Sequence, residues 1–561
     1  MNETQVIHQK KLRATLLFFV FLFVYGAIIA NLFYVQILQR SFFTTLGTQQ
    51  YGVTISVQPP RAAIYDCNGK PVAVNAECLS AFVLPHEVKA PEHLKAFLQR
   101  YFPAAFERWQ TSNRKYFMFI KRRLKPRELA LIKARGGDDI KIVSDPCRYY
   151  PAETLGTIIG ITDIDNHGLF GIERLCDKQL GGTPSICRLE RDARSGHFYF
   201  NKITDVPGHD GSPIYLTIDS DLQFLAYQEL YDIVQKFHAK EGGVIIVDPT
   251  TGAIKTSVSW PDFNPNDVEY LAQENTKNYP FTQCYEVGSA IKTFAAVAAL
   301  EDGVVTPDEL VDCEDKQSAI VDGMKINTVR ESVQGIIPFS TVIQKSNNIG
   351  TAKVAMRVGT KLYDYYRRFG FARKTAVNFP GEQPGFITPP ERWSKRSIIS
   401  LSFGYEIRTT MAQLAQAVGL IAQNGQPITL NLIKSALIKS ALIKSAKNSE
   451  ELPTMFSKKT MEQIQDILTK TVTDGTARRA RIKGYRVMGK TGTANLIDHG
   501  RYNEHKNLFT FSGIIEKDGY KRVIVAYIKE IESPHGQHAS TVAVPLFEQV
   551  AEKMLIHDKM I

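Results

Sequence analysis

The sequence has few cysteines and no cysteine motif. Seven cysteines are scattered over 561 residues, and no two of them form a C-x-x-C pair. This absence argues against a structural zinc site and against a dithiol redox site. The odd number leaves at least one thiol unpaired, and the spacing does not tell which of the others are joined. The cysteines are Cys67, Cys78, Cys147, Cys176, Cys187, Cys284 and Cys313.

The sequence also has no basic run interleaved with aromatic residues. The formal net charge is +11, but the positive residues are spread along the chain. We therefore predict no nucleic-acid partner and favour a solvated basic surface. Charged residues make up 22% and apolar residues 44%, which is not the composition of a disordered chain. With 561 residues the chain is too long for one compact domain, and two or three are expected.

One long segment near the N-terminus lacks charge. Residues 14–39 contain no Asp, Glu, Lys or Arg, and they exceed the ~20 residues with which a helix spans a bilayer. Lys10, Lys11 and Arg13 precede the segment. This pattern predicts a cytoplasmic tail at residues 1–13, an uncleaved transmembrane anchor at residues 14–38, and everything after Arg40 outside. The alternative, a cleaved signal peptide, would need a shorter apolar core followed by a small-x-small site.

The segment Y-E-V-G-S-A-I-K-T-F, residues 285–294, leads from a loop into an alanine-rich run typical of a buried helix. If Ser289 and Lys292 lie in its first turn, their i, i+3 spacing places hydroxyl and amine on one face. The helix N-terminus favours a developing oxyanion, and a poorly hydrated lysine can accept a proton from a serine. Ser289 is therefore a candidate nucleophile and Lys292 its base, although this pairing is common by chance.

Two further motifs follow along the chain. Ser346-Asn347-Asn348 has the pattern S-x-N, and residues 490–493 read K-T-G-T. In isolation, Ser346 and Asn348 equally suit a helix cap, and K-T-G-T equally suits an ordinary strand and turn. In this order, however, S-x-x-K, S-x-N and K-T-G resemble the motifs of the penicillin-recognising serine acyltransferases, which include β-lactamases and penicillin-binding proteins.

The region before residue 210 carries a second resemblance. Residues 61–73, R-A-A-I-Y-D-C-N-G-K-P-V-A, predict a strand, an Asn-Gly turn and a strand. They are similar to the R-G-x-I-x-D-R-x-G-x-x-L-A signature of class B penicillin-binding proteins, from which Ala62 and Cys67 depart. R-Y-Y-P at residues 148–151 and G-L-F-G-I-E-R at residues 168–174 resemble the next two blocks. We expect all three blocks to serve packing, without a chemical role.

The resemblance covers roughly residues 50–555 and implies an α+β fold. After the N-terminal transmembrane helix, it implies an elongated mixed α/β pedestal of the dimerisation type at residues 39–210. A transpeptidase domain of the penicillin-binding and serine β-lactamase type, an antiparallel sheet flanked by helices, would occupy residues 211–561. Apolar stretches at residues 242–254, 508–515 and 522–528 predict strands, and those at residues 411–418 and 545–555 predict helices.

The resemblance also implies roles for five catalytic residues. Ser289 would attack a peptide carbonyl and form a covalent ester, with Lys292 as its base. Ser346 would relay a proton to the leaving amine, and Asn348 would bind substrate backbone and the Lys292 amine. Lys490 would lower the proton affinity of Lys292 and attract a substrate carboxylate. The reaction implied needs no cofactor and no metal.

Three residues of the K-T-G-T motif are implied to bind substrate. Thr491 and Thr493 would offer hydroxyls to the substrate carboxylate. Gly492, which has no side chain, would let the substrate lie against the strand edge as an added strand. The backbone N–H groups of Ser289 and Thr493 would form the oxyanion hole.

The family implied is the monofunctional class B penicillin-binding proteins, and the chain looks most like the septal, FtsI-type enzymes. Such enzymes cross-link peptidoglycan by acyl transfer from D-Ala-D-Ala stem peptides, and β-lactams acylate their serine. The partners implied are peptidoglycan stem peptides, covalently bound β-lactams, the inner membrane, and a division glycosyltransferase with other division proteins.

Several alternatives stay open at this point. An elongation-type transpeptidase is the nearest, and a β-lactam sensor or cell-wall scaffold with little turnover is the most different. A bifunctional penicillin-binding protein would need an E-D-x-x-F motif in residues 40–210, which is missing. A class A β-lactamase would need E-x-x-L-N, and Glu382, Glu391 and Glu406 lack that context.

Two features depart from the family pattern. Glu406, in S-F-G-Y-E at residues 402–406, stands where the family has glycine, near the expected cleft. The pentapeptide L-I-K-S-A occurs three times without interruption at residues 432–446. A period of five keeps no constant face on a helix or a strand. The repeat therefore predicts a duplication in which one copy is in register and two enlarge a surface loop.

Overall fold

The computed structural model describes residues 3–111, 117–191, 198–268, 271–328, 332, 335–434, 454–532 and 536–561. Its internal contacts divide the chain into two compact units. One consists of Met1–Pro60 with Gly182–Gly211, the other of Arg61–Gly181 with Ser212–Ile561. All the catalytic and substrate-binding residues predicted from the sequence belong to the second unit.

The first unit contains the charge-free segment as helix. Helix Glu3–Phe33 leads through a π-helical turn, Tyr34–Leu38, into helix Arg40–Tyr51. The stretch Lys10–Leu38 is long and apolar enough to cross a membrane, and none of its most apolar window is buried in the protein. An antiparallel sheet of three strands completes the unit, in the order Gly52–Val57, Ser185–Arg191 and Phe198–Val206.

A five-stranded antiparallel sheet forms the centre of the second unit. Two of its strands precede the catalytic motifs in sequence, and three strands from the C-terminal part of the chain pair beside them. The strand that carries K-T-G-T, Arg486–Asp498, lies at one edge and, among the described residues, has a neighbour on one side only. The order is Ala253–Trp260, Glu241–Asp248, Tyr520–Lys529, Arg501–Lys517 and Arg486–Asp498.

Helices cover both faces of this sheet. Alternate residues of the strand Glu241–Asp248 enter two different apolar clusters, because successive side chains of a strand point to opposite faces. Helices Ser220–Phe237 and Ala543–His557 belong to one cluster, and Lys292–Glu301 and Met411–Ala422 belong to the other. The unbroken apolar run V-I-I-V is what a strand buried on both faces requires.

Smaller elements surround the helix Lys292–Glu301. Helix Asn348–Val358, which begins at the second motif, packs against Lys292–Glu301. Further helices are Tyr279–Thr282, Phe339–Gln344, Lys361–Arg368, Ser397–Ser402 and Lys458–Thr473. Strand pairs are Leu310–Asp312 with Ile336–Pro338, Ser318–Val321 with Met324–Asn327, and Phe386–Ile387 with Ile407–Arg408.

Residues 61–181 of the second unit form a smaller mixed α/β part. Its strands are Ile64–Tyr65, Pro71–Val83, Met118–Lys121 and Ile140–Tyr149, joined by Ile214–Tyr215. Its helices are Pro91–Tyr101, Pro103–Thr111, Pro126–Arg135, Gly156–Ile159, Gly171–Leu175 and Asp177–Gly181. A disulfide joins Cys78 to Cys147 on adjacent strands, a pairing that the sequence left open. Cys67, Cys176, Cys284 and Cys313 are free thiols.

The three family-like blocks of this part meet in one buried ion network. Glu173 is fully buried and accepts from Arg61 Nε at 2.6 Å and from Arg148 Nε at 2.7 Å. Arg61 Nη1 also pairs with Asp177 at 2.7 Å. The blocks at residues 61–73, 148–151 and 168–174 therefore pack one another together, which is the structural role we expected for them.

The predicted elements near the site match the observed ones. Strands cover the stretches predicted at residues 242–254, 508–515 and 522–528, and helices cover residues 411–418 and 545–555. Of the repeat at residues 432–446, only the first three residues are described. In that part Leu432 O accepts from Thr217 N at 2.9 Å, and Lys434 N donates to Tyr215 O at 2.8 Å. The two further copies lie outside the described residues.

Candidate active site

Ser289 lies in a tight turn directly before the catalytic helix. A 3₁₀ turn, Gly288–Ile291, leads into the α-helix, which begins at Lys292. The sequence placed both residues in the first α-helical turn, whereas Ser289 is in the 3₁₀ turn, where Lys292 N donates to Ser289 O. Because a 3₁₀ helix has three residues per turn, the two side chains lie on the same face, as the spacing predicted. Ser289 is half-buried, and among the described residues its hydroxyl has no hydrogen-bond partner.

Lys292 is fully buried at the centre of the site. Its Nζ donates to Ser346 O at 2.6 Å, to Ser346 Oγ at 3.2 Å and to Asn348 Oδ1 at 2.5 Å. Burial, and secondly the charge of Lys490, hold the pKa of the Lys292 amine well below its usual range. One turn from Ser289 there is thus an amine whose surroundings favour its neutral form, the form that can accept a proton.

Ser346 and Asn348 face Lys292, and the helix cap is the residue between them. Asn347 Oδ1 accepts from Gly350 N at 2.8 Å, which caps helix Asn348–Val358. The capping interpretation of Ser346 and Asn348 is therefore wrong. Ser346 has a left-handed backbone, with φ of +58°, a strained conformation for a non-glycine residue that is often found at functional sites. Asn348 is held by its own Nδ2, which donates to Asn327 O at 2.7 Å.

Lys490 reaches the same serine from the edge strand. Its Nζ lies 3.0 Å from Ser346 Oγ and 3.2 Å from Thr491 O. Burial lowers the pKa of the Lys490 ammonium to about 7. Ser346 Oγ therefore contacts two amines, Lys292 and Lys490, and can pass a proton between groups in the site.

Glycine is needed at three positions where backbones meet. A Cβ on Gly492 would lie 2.4 Å from Val287 O, and a Cβ on Gly288 would lie 2.3 Å from Thr493 O. Gly404, with φ of +98°, would clash in the same way with Gly288 O at 2.2 Å. Gly492 thus lets the edge strand pack against the turn that carries Ser289, a contact that the sequence did not reveal.

The two threonines of K-T-G-T have partners in distant loops. Thr491 Oγ1 lies 3.1 Å from Thr476 Oγ1, and Thr493 Oγ1 accepts from Ala539 N at 3.3 Å. Sequence reasoning missed Thr476, and the only local signal is its place in the turn T-D-G-T after helix Lys458–Thr473. Both hydroxyls are fixed on the strand beside Ser289, where an anionic ligand group would find donors.

Glu406 has a backbone conformation that explains why a glycine is usual there. Its φ is +59°, in the left-handed region. Its N–H donates to Glu286 Oε1 at 3.1 Å and its C=O accepts from Thr388 N at 3.1 Å, bonds that any residue can make. Glu286, three residues before Ser289, has a raised carboxyl pKa, chiefly because it is partly buried.

Glu406→Gly is expected to leave the free energy of unfolding unchanged or to raise it by up to ~1 kcal/mol. Glycine relieves the left-handed strain, but it also gains entropy in the unfolded chain. Glu406→Val should instead destabilise by about 1–2 kcal/mol, because a branched Cβ resists this backbone. Thermal unfolding of the two variants beside the wild type checks this. A valine variant as stable as the glycine variant would contradict it.

Comparison with family models assigns both large parts of the chain. A model described as the penicillin-binding protein transpeptidase domain matches residues 242–552. A second model, described as the penicillin-binding protein dimerisation domain, matches residues 56–216. The first covers more than half of the chain and includes Ser289, Lys292, Ser346, Asn348 and Lys490.

Individual proteins show the same likeness. Stage V sporulation protein D of Bacillus subtilis is 29% identical, over 99% of this chain and 87% of its own length. Peptidoglycan D,D-transpeptidase FtsI of Escherichia coli is 27% identical, over 88% of this chain and 82% of its own length. Penicillin-binding protein 3 of Mycobacterium tuberculosis, solved in complex with aztreonam, superposes with a TM-score of 0.66 at 23% identity, over 90% of this chain and 97% of that one.

Proposed function

The chain belongs to the penicillin-binding protein transpeptidase family, and on this basis we propose that Ser289 is its nucleophile. It is a class B enzyme, with a dimerisation and a transpeptidase domain. The protein is a serine-type D-Ala-D-Ala transpeptidase. One observation carries the assignment of the residues. The buried Lys292 amine and the Lys490 amine both contact Ser346 Oγ, at 3.2 and 3.0 Å, beside the half-exposed Ser289.

Acylation begins when the Ser289 hydroxyl attacks the carbonyl carbon between the two D-alanines. Its proton passes to the neutral Lys292 amine, and a tetrahedral intermediate forms. Ser346 then delivers its hydroxyl proton to the amide nitrogen and takes one back from the Lys292 ammonium, 3.2 Å away. The C–N bond breaks, D-alanine leaves, and Lys292 is neutral again. An amine of a neighbouring stem peptide attacks the resulting ester, forms the cross-link and returns the proton to Ser289. Asn348 keeps Lys292 oriented through its Oδ1.

The edge strand supplies the remaining binding groups. Because Arg486–Asp498 has a neighbour on one side only in the part of the chain that the structure describes, a stem peptide can add to it as a further strand. The Thr491 and Thr493 hydroxyls and the Lys490 ammonium bind the terminal carboxylate, and Gly492 keeps the strand close to the Ser289 turn. The N–H groups of Ser289 and Thr493 form the oxyanion hole.

The proposed arrangement is a cytoplasmic tail at residues 1–13, an anchor at residues 14–38, and an outer part made of a pedestal, residues 39–210, and a transpeptidase domain, residues 211–561. The basic residues before the apolar helix support this orientation. The Cys78–Cys147 disulfide supports it independently, because such bonds persist in oxidising compartments outside the cytoplasm.

The proposed cellular role is septal cross-linking, together with a division glycosyltransferase and other division proteins, and β-lactams are the proposed inhibitors. The likeness to the peptidoglycan D,D-transpeptidase FtsI supports this role. The aztreonam complex of the Mycobacterium tuberculosis protein supports binding of β-lactams. Depletion of the protein distinguishes the roles, since loss of a septal enzyme blocks division whereas loss of an elongation enzyme makes cells round.

Labelling with a fluorescent penicillin tests the site. The purified full-length protein should form a stable covalent band, which Ser289→Ala abolishes and the control Ser144→Ala, at an exposed position of the strand Ile140–Tyr149, retains. A band that decays within seconds would indicate a hydrolase. A stable band without release of D-alanine from a stem-peptide substrate would indicate a sensor, and labelling of Ser289→Ala would contradict the assignment of the nucleophile.

Binding of a carboxylate-bearing β-lactam is expected to weaken as pH rises above 7. The pKa of Lys490 is lowered to about 7 by burial, so the ammonium that attracts the carboxylate is present below this pH and is lost above it. Affinity should fall by roughly tenfold between pH 6.5 and pH 8.5, since a deprotonated site loses up to about tenfold per pH unit. The dissociation constant before acylation, measured across this range, checks the slope. The methyl ester of the same compound is the control, and an equal slope for both would contradict the role of Lys490.

A further inference from the structure

A buried polar cluster lies behind the catalytic turn and has no part in the mechanism above. Its centre is Glu241, the first residue of a central strand, with only 6% of its surface exposed. Neither the sequence motifs nor the family-like blocks include this residue. A carboxylate buried to this degree is costly unless every oxygen is paired, so its partners indicate why it is there.

Each carboxylate oxygen of Glu241 is paired. Oε1 accepts hydrogen bonds from the hydroxyls of Tyr285 and Tyr527, the second at 3.2 Å, and Oε2 accepts from Lys529 Nζ at 2.9 Å. The Tyr285 and Tyr527 rings pack at 5.5 Å between centroids, and Lys529 Nζ lies 5.6 Å from the centre of the Tyr285 ring. Burial raises the pKa of the Glu241 carboxyl, while Lys529 and Tyr527 act in the opposite direction.

One of these partners belongs to the segment that carries the nucleophile. Tyr285 is four residues before Ser289, and its backbone forms two hydrogen bonds with Thr409, both at 2.9 Å. Its backbone is thus fixed on one side by Thr409 and its hydroxyl on the other by Glu241. Tyr527, in contrast, lies in the central strand Tyr520–Lys529, which backbone pairing on both sides holds in place whatever the side chain of Glu241 does.

We propose that Glu241 is a positioning residue for acyl transfer, which acts through the Tyr285 hydroxyl to hold the segment from Tyr285 to Ser289 in its reactive position. Lys529 neutralises the carboxylate and keeps it in place. The inference rests on the proposed function, since it assumes that Ser289 is acylated. Misplacement of a nucleophile by about 1 Å can lower a rate by up to about 100-fold without any change in substrate binding.

Two tyrosine variants test this with the same chemical change. Tyr285→Phe and Tyr527→Phe each remove one hydroxyl from the same oxygen of Glu241, but only Tyr285 leads to Ser289. In the full-length protein, penicillin labelling at several concentrations separates the dissociation constant from the acylation rate constant. We expect Tyr285→Phe to lower the rate constant about tenfold with an unchanged dissociation constant, and Tyr527→Phe to stay within about twofold of the wild type.

Glu241→Gln and the double variant Glu241→Gln/Tyr285→Phe complete the test. Because both residues act through one hydrogen bond, the double variant should be no slower than the slower single variant. Three results would each overturn the proposal. They are equal acylation rate constants for the two tyrosine variants, rate losses that parallel the losses of melting temperature, and additive rate losses in the double variant. If the wild type itself is not labelled, the proposed function fails as well, whereas a labelled wild type and an equally fast Tyr285→Phe overturn only the positioning role.

Discussion

Lys292→Met is expected to lower the acylation rate of Ser289 by about 10³-fold while the protein still folds. Lys292 is the buried amine one helical turn from Ser289, the proposed nucleophile, and its Nζ bonds hold Ser346 and Asn348 in the site. Loss of a general base typically costs a factor of 10²–10⁴, and methionine fills a similar volume without the amine. Time courses of labelling with a fluorescent penicillin measure the effect. Lys458→Met, at a helix residue whose side chain is 78% exposed, is the control and should react like the wild type.

The same variant should be more stable than the wild type near neutral pH. The pKa of Lys292 is held below its unfolded value of 10.5 by burial and by the charge of Lys490, so folding at neutral pH favours loss of a proton that the unfolded chain keeps. This penalty is present below pH 10.5 and diminishes as pH rises toward that value. Lys292→Met removes the penalty, and its advantage in unfolding temperature should be larger at pH 6 than at pH 9. A variant that is acylated as fast as the wild type, or is less stable at pH 6, would contradict these expectations.

The sequence predicted which residues meet in the site, but not how they meet. Ser289, Lys292, Ser346, Asn348 and Lys490 lie in three separate motifs, and the contacts of Lys292 and Lys490 with Ser346 bring the motifs together. Local patterns could not show that Ser346 would take a left-handed backbone, because that conformation depends on the packing around it. Nor could they show that the helix cap is Asn347, since neighbouring asparagines and serines cap equally well.

Contacts between distant parts of the chain were the least predictable. Position 492 must be glycine because the carbonyl of Val287 lies too close for a Cβ, and Glu241 bonds to Tyr285 and Lys529. No periodic pattern in the sequence connects these residues. The strands themselves were predictable from apolar runs such as V-I-I-V. Their order was not, because the pairing of residues 241–247 with residues 523–529 closes a long loop that local propensity does not report. Residues 79–145 contain no motif, and the structure forms them into helices and strands that share one apolar cluster.

Glu173→Ala is expected to lower the free energy of unfolding by about 3–5 kcal/mol. Glu173 has no exposed surface and pairs with both Arg61 and Arg148, whose side chains are 3% and 1% exposed. Removing one member of such a group leaves buried charge without a partner, which is far more costly than losing a surface ion pair. Asp177→Ala is the matched control, because Asp177 also pairs with Arg61 but is 35% exposed, and it should cost about 1 kcal/mol or less. Thermal or urea unfolding of the purified protein compares the two.

Replacing all three ionic residues of this network decides whether charge balance or backbone contacts hold the three blocks together. If the penalty of Glu173→Ala comes from the uncompensated arginines, then Arg61→Met, Arg148→Met and Glu173→Leu together should recover most of the lost stability. Arg61 Nη2 and Arg148 Nη2 also donate to the carbonyls of Glu173 and Ala62, each at 2.8 Å, so these two acceptors would lose their partners and recovery should be incomplete. A triple variant as unstable as Glu173→Ala would show instead that these backbone contacts, and not charge balance, hold the three blocks together.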